Sequence, residues 1–509
     1  MSEFDFIVIG AGSAGSMVVY RLSENPDSRV LVIEAGGTEI PPNMENPSIW
    51  FTLLGSPYDW GYSSVPQSGL KGRQTYEPRG KVIGGTSQLY IMMHIRGHSS
   101  DFDNWAYNGA VGWSFKEVLP FFQKLEDQED RTSDLVGQGG PLSVINAGKH
   151  KPNPYSQRFI DACLELGYPP TADFNGPQME GAGWHHVNIG RDGKRASMAV
   201  SALLPALERP NVTLSANSQV TRLLFEGQRC VGVEYLHDGQ LKTARASKEV
   251  VLSAGALESP HILLNSGIGK AGHLKEFGKD VVVDLPGVGE NFHNHVLTGV
   301  IMETREPVPQ GNLNLSEAAL FTRSDPRRIG PDLQFNLVHV PFDIIIGQSH
   351  PNSITIIPGL QRPLSRGWLR LGSADPLEKP LVNPNYLAEE SDARKMVQAV
   401  KISREIFAAK AFGSTLADEL LPGPQYKTDD ELMEFVRARC DSYHHQVGSC
   451  KMGIDSMAVV DPELKVYGVQ GLRVADASVM PAVVTGNPHT AIVMIGERAA
   501  DFIKKDYGF

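Results

Sequence analysis

Residues 4–36, FDFIVIGAGSAGSMVVYRLSENPDSRVLVIEAG, decide the fold. An apolar run, Phe6 to Ile9, leads into Gly10, Gly12 and Gly15 in the G-x-G-x-x-G pattern. A helical segment from Ser16 to Leu22 follows, then a second apolar run, Val30 to Ile33, closed by Glu34. Strand, glycine turn, helix, strand and acid in about thirty residues make the dinucleotide-binding unit of a Rossmann-like α/β fold. Gly10 permits the tight turn, Gly12 lets a pyrophosphate approach the backbone, and Gly15 lets the helix pack close to the strand. Glu34 stands where a carboxylate takes ribose hydroxyls, which disfavours the 2′-phosphate of NADP. The unit alone does not separate FAD from NAD.

Around this unit the chain runs to 509 residues, which predicts two or three domains. A net charge of −11 and the lack of any basic tract argue against a nucleic-acid partner. No apolar run approaches about eighteen residues, so no membrane span is expected. With a strand that starts by Phe6, no signal or transit peptide is expected. The four cysteines, Cys163, Cys230, Cys440 and Cys450, have neither disulfide-framework nor metal-ligand spacing. A metal-free protein of the reducing cytoplasm is the expectation. Monomer and homodimer both stay open.

A second strand-to-helix junction lies mid-chain. The apolar strand of VVLSAGALESPHILL ends at Ser253-Ala254-Gly255, and a helix is expected to start near Glu258–Pro260. From Val300 to about Leu371 the pattern changes to longer alternating segments, PDLQFNLVHV, NSITIIPGLQ and GWLRLGS, the mark of an antiparallel sheet. The class is therefore α/β (α+β overall) with two domains discontinuous in sequence. Residues 1–150, 205–298 and 440–509 are assigned to the cofactor domain, and 151–204 and 299–439 to the substrate domain. In EPRGKVIGGTSQLYIMMHIRG, the apolar stretch Leu89 to Met93 fits either a buried strand or a helix. The aromatics Trp50, Phe51, Tyr58, Trp60 and Tyr62 crowd one loop, packing it or lining a pocket.

The C-terminal region carries the chemistry. Tyr443-His444-His445 precedes Gly448, and Gly486-Asn487-Pro488-His489 opens an apolar helix. A histidine accepts a proton near neutral pH, an amide opposite it can hold a hydroxyl, and the helix start offers free N–H groups. A loop or core histidine pair is the plain alternative.

Five blocks in order resemble the glucose–methanol–choline (GMC) family of flavin oxidoreductases: FDFIVIGAGSAGSMVVYRLSE, RGKVIGGTS, SAGALESPHILLNSGIG, HQVGSCKMG and GLRVADASVMPAVVTGNPHTA. The resemblance spans the chain and implies FAD rather than NAD. Gly10, Gly12, Ser13, Ala14, Gly15, Glu34 and Ala35 would hold its ADP part, and Val220 would contact the adenine. Arg79, Val82, Gly84, Gly85, Leu89, Tyr90 and Ile91 would lie along the flavin, with Asp476, Ala477, Asn487, Pro488 and His489 around its ring. His445 matches the family's catalytic histidine and Asn487 its partner. His445 would take a hydroxyl proton while a hydride passes to flavin N5. His444, one place off the motif, reads as a pocket or packing residue.

Three departures refine this picture. Leu89 stands where choline oxidases attach FAD through a histidine, so the flavin is expected to be non-covalent. Leu297 stands where a choline oxidase has the glutamate that meets the trimethylammonium; Trp60 could still offer a cation–π face. His489 occurs in pyridoxine oxidases, which lack an asparagine at the Asn487 position. The expected substrate is a small uncharged primary alcohol, aromatic or heteroaromatic, with O2 as electron acceptor. A dehydrogenase using a quinone or another acceptor, a redox-neutral lyase and a non-catalytic flavoprotein are the alternatives.

Overall fold

The strand Glu3–Ile9 sits inside a seven-stranded sheet, between Val30–Ile33 and Gln240–Leu252 and parallel to both. A computed structural model describes residues 3–130, 132–341 and 352–509. Strand Val212–Ser215 extends the parallel part on one side, and Leu472–Val474 pairs with Gln240–Leu252 on the other. The hairpin strands Ser218–Glu226 and Arg229–His237 complete the sheet in antiparallel fashion. Phe6, Ile7, Val8, Val30 and Val32 are fully buried, as a parallel strand covered on both faces requires.

The parallel strands end level with one another. Gly10 N–H donates to Ile33 O at 2.8 Å, Ser253 N–H to Ile9 O at 2.8 Å, and Ala475 N–H to Leu252 O at 2.8 Å. Gly10, Glu34, Ser253 and Asp476 thus emerge together at the carboxyl edge, the place where open α/β sheets bind ligands. The helix Ser13–Leu22 runs back from that edge against the closing helix His489–Tyr507. A Cβ on Gly496 would meet Ala14 O at 2.5 Å, so the two backbones touch there. Arg21 Nε, 2.7 Å from Glu497 Oε2, bridges them farther along.

The second sheet has eight strands and is antiparallel throughout. Its main path runs Leu416–Leu421, Val300–Thr304, Ser353–Leu360, Leu333–Val338, Ala318–Thr322 and Gly181–Trp184. The short strands Val296–Leu297 and Asp441–Ser442 add to its edge. The expected α/β class with a separate antiparallel sheet, each built from distant stretches, is what the fold shows.

Three local expectations need correction. Leu89 to Met93 is neither strand nor helix: a 3₁₀ turn at Gly85–Gln88 gives way to irregular backbone, with Met92 at φ 61°. Its carbonyls find side chains instead of a ladder, Tyr90 O accepting from Arg195 at 2.6 Å and Ile91 O from Asn314 at 2.7 Å. The mid-chain helix starts at Gly255, not near Pro260, so the proline lies inside it. Pro260 leaves the Ala256 carbonyl without its helical donor, and Ser449 Oγ supplies one at 2.6 Å. Finally, Trp368–Arg370 of GWLRLGS pairs with Leu381–Asn383 in a separate ribbon rather than joining the large sheet.

Candidate active site

Two cavities open beside the carboxyl edge of the parallel sheet. The first encloses about 970 Å³, and its lining includes Gly10, Gly12, Ser13, Ala14, Glu34, Ala35, Val220, Asp476 and Ala477. The second, about 1090 Å³, is lined by Leu89, Tyr90, Ile91, Leu297, His444, His445, Asn487, Pro488 and His489, among others. Ser13, Arg79, Thr86 and Ile492 border both, so the two form one continuous trough.

At the first end the glycine turn behaves as its spacing predicts. Gly10 has φ 94°, which glycine alone adopts without strain. A Cβ on Gly15 would stand 2.0 Å from Gly10 O, so the helix packs on the turn through a bare Cα. Gly12 caps the helix with no side-chain hydrogen bond, leaving the first N–H groups to a ligand. Glu34 accepts from Ala11 N and Gly36 N, each at 2.8 Å. Burial pushes its carboxyl up, and those two amides oppose the shift. Asp476 ties the far wall together, accepting from Gly255 N at 2.9 Å and Ser478 N at 2.8 Å. Its carboxyl too is pushed up by burial.

Three predicted cofactor residues stand behind the wall rather than in it. Gly15 is packed as described, Val82 is fully buried, and Gly84 donates its N–H to Ala11 O at 2.7 Å. Trp60 departs from the expected substrate pocket. It lines the first cavity, its ring stacked on Tyr62 at 5.8 Å and covered by Lys81 Nζ at 4.4 Å.

At the second end His445 Nε2 faces Asn487 Nδ2 at 3.1 Å. Gln334 Nε2 donates to Asn487 Oδ1 at 3.3 Å and to Asn336 Oδ1 at 3.2 Å, which turns the Asn487 amine toward the histidine. Asn336 also donates to the Tyr443 hydroxyl. On its other side His445 Nδ1 lies 2.9 Å from His295 Nδ1. Burial is the main cause holding His445 well below the ordinary histidine range, with His295, His444 and Arg79 adding to it. His445 is therefore neutral at physiological pH.

The loop carrying His445 is held from beneath by a buried carboxylate. Glu77 accepts from Ser442 Oγ at 2.8 Å, Thr75 Oγ1 at 2.8 Å, Tyr386 Oη at 2.9 Å and Gln446 Nε2. Asn294, bonded to Ser442 and Tyr386, accepts the His445 backbone N–H at 2.7 Å. His444 adopts φ 64°, and its carbonyl accepts from Arg79 Nη2. Burial draws Arg79 down to about 10, which still leaves it charged at the junction of the cavities. His489, buried and lowered to about 3 by that burial, has no hydrogen-bond partner for either ring nitrogen among the described residues. Its ring lies 4.3 Å from that of Tyr90.

An uncapped helix end, a carboxylate beside it and a trough leading to an orphaned histidine fit an extended dinucleotide. Comparison with known proteins decides which kind. The amino-terminal GMC oxidoreductase family model matches residues 4–297, and the carboxy-terminal one matches residues 363–496. The chain belongs to the GMC oxidoreductase family. Mitochondrial choline dehydrogenase of Mus musculus is 40% identical, over 99% of this chain and 89% of the mouse protein. Oxygen-dependent choline dehydrogenase of Brucella suis biovar 1 is 39% identical, over 98% of this chain and 95% of the Brucella protein. Among solved structures, pyridoxine 4-oxidase from Mesorbium loti superposes with a TM-score of 0.93 at 34% identity, covering 98% of each chain. GMC oxidoreductases bind FAD, and the GMC reading makes this chain an alcohol oxidoreductase. Among the described residues no helix is long and apolar enough to cross a membrane.

Several residues at this site escape a reading by motif: His295, Gln334, Asn336 and the Glu77 hub. Two of them were hidden by an ordinary pattern, since alternation also marks a half-solvated antiparallel strand, and only the burial sets them apart. Leu333–Val338 is buried along its whole length, and a strand covered on both faces is normally apolar throughout. Gln334 and Asn336, two apart and so on one face, break that rule where the site lies.

Proposed function

We propose that this protein is an FAD-dependent alcohol oxidase acting on a small, uncharged, aromatic or heteroaromatic primary alcohol, with His445 as base and O2 as electron acceptor. The observation that carries this reading is the His445–Asn487 pair facing a cavity lined by Trp50, Tyr90, Leu297 and Tyr443. No carboxylate lines that cavity among the described residues, and burying a cation without a counter-charge is costly.

The substrate oxygen would approach both nitrogens from the cavity, His445 Nε2 accepting its proton in place of the Asn487 contact and Asn487 Nδ2 donating to the alkoxide that forms. FAD, when bound, supplies the two-electron acceptor for the hydride that leaves the carbinol carbon. Glu34 and the helix end at Gly12–Ala14 would hold its ADP half, and Arg79 with the Leu89–Ile91 backbone its flavin half. Leu89 offers no nucleophilic atom, so the flavin is held without a covalent bond. Acid precipitation of the holoprotein is accordingly expected to leave the yellow colour in the supernatant; colour that stays with the pellet overturns this point. The four free buried thiols favour the cytoplasm.

A dehydrogenase passing electrons to a quinone or another acceptor is the second reading; the mouse relative is named a choline dehydrogenase, while the Brucella relative is named oxygen-dependent. One experiment tests both. The holoprotein is titrated anaerobically with benzylic, furanic and pyridyl alcohols and with choline, following the flavin band, and then exposed to air. Bleaching by an uncharged aromatic alcohol with rapid reoxidation to peroxide supports the oxidase. Bleaching that persists in air selects the dehydrogenase, and bleaching by choline alone overturns the substrate class.

A further inference from the structure

His295 lies outside the substrate cavity, yet its ring meets that of His445 edge to face, centroids 5.1 Å apart and planes at 85°. It is held there by strand pairing. Val296 pairs with Ser442 and Leu297 with Asp441, and Tyr443 N–H donates to His295 O at 3.2 Å. His295 is fully buried.

The proton positions follow from the acceptors at the two ends of the chain. Gln361 O, 2.9 Å from His295 Nε2, is a carbonyl and can only accept, so that nitrogen carries the proton. A neutral imidazole has one N–H, which leaves His295 Nδ1 bare. The 2.9 Å contact between the two Nδ1 atoms then needs its proton on His445. His445 Nε2 is left bare toward Asn487, whose amine orientation is set independently by Gln334. Both ends of the network agree on one arrangement.

We infer that His295 is a positioning residue that locks His445 in the Nδ1–H tautomer, so that its unprotonated Nε2 faces the alcohol. The catalytic meaning of this lock rests on the reading of His445 as the base. Burial draws His295 itself down to about 3, so it is neutral near physiological pH. The other titratable groups around His445 are Tyr443, His444, His489 and Arg79, with Glu77 beneath the loop. None of them reaches Nδ1; among the described residues that position belongs to His295.

The test is the tautomer itself, read from the nitrogen chemical shifts of ¹⁵N-histidine-labelled holoprotein at neutral pH, with His445 assigned by its loss in His445→Ala. Wild type is expected to show Nδ1 protonated and Nε2 bare. His295→Leu removes the acceptor, so part of the proton moves to Nε2. Alcohol-driven flavin reduction then falls tenfold or more, bounded by the roughly 10²–10⁴-fold that a positioned base contributes. His295→Asn places an amide oxygen near the former Nδ1, restoring the tautomer and most of the rate. A proton on Nε2 in wild type overturns the inference, as does an unchanged tautomer in His295→Leu. Equal losses in the Leu and Asn variants reduce His295 to a packing residue. The expected tautomer in a wild type that no alcohol reduces would sink the base and leave the lock standing.

Discussion

His445→Ala yields a yellow protein that alcohols no longer bleach. The side chain lines only the second cavity, while the glycine turn, Glu34 and Asp476 form the first. Flavin content should therefore match that of the wild type. A positioned general base contributes about 10²–10⁴ in rate, or roughly 3–5 kcal/mol of barrier at about 1.4 kcal/mol per tenfold. Rapid-mixing measurement of the limiting rate of flavin reduction reads this directly. Full activity removes His445 from the role of base. Asn487→Ala is expected to cost less, because it removes a donor to the alkoxide and leaves the proton acceptor in place. The pH profile follows from the same site. The base works neutral, and burial holds His445 well below the ordinary histidine range. The wild-type rate should thus stay level as pH falls through that range and decline only below it. A fall centred near the ordinary histidine value would mean that His445 is not desolvated as described.

Gly15→Val abolishes flavin binding. Its Cβ would stand 2.0 Å from Gly10 O and 3.1 Å from Ser253 Cβ. Gly10 belongs to the turn that shapes the first cavity and Ser253 to the end of the neighbouring strand, and the closest clash is with the rigid backbone of Gly10. Relief requires the helix Ser13–Leu22 to move off the sheet, carrying its N–H groups away from the pyrophosphate. The helix is also pinned at Gly496, where the closing helix touches Ala14. The expected product is colourless or misfolded protein, judged by the flavin-to-protein absorbance ratio and by thermal unfolding. Gly239→Ala is the control. Unlike Gly15 it has a positive φ, 72°, and nothing lies within 4 Å of its added Cβ. That variant should lose only about 1 kcal/mol of stability and stay yellow. A stable yellow Gly15→Val protein would show that the turn does not need its bare Cα.

The contrast between these positions explains how much could be read from the chain. Gly10, Gly12, Gly15 and Glu34 act through bonds formed within one strand–helix–strand unit, so their spacing carries the geometry. His445 and Asn487 are far apart in sequence and come forward through the resemblance, not through periodicity. His295 has no such aid, since its role exists only once strand pairing sets Val296 against Ser442. Leu89 to Met93 misleads for a related reason: its composition is that of a core element, but Arg195 and Asn314, from distant segments, take its carbonyls. Trp60 lines the first cavity rather than the second: aromatic residues suit either, and composition does not tell which one a loop reaches. Pro260 signals a helix start in isolation, yet Ser449 relieves the carbonyl it frees.

The parallel sheet also dictates an order of assembly. Glu3–Ile9 pairs with Gln240–Leu252, more than two hundred residues later in the chain, and the helix behind it rests on His489–Tyr507. Contacts this distant in sequence form late and slowly. During synthesis one edge of this strand, the one opposite Val30–Ile33, must wait unpaired for more than two hundred residues of chain. Such a nascent segment is the kind that aggregates or recruits a chaperone. The cofactor trough is not complete until the helix His489–Tyr507 docks, so flavin loading follows translation of that helix.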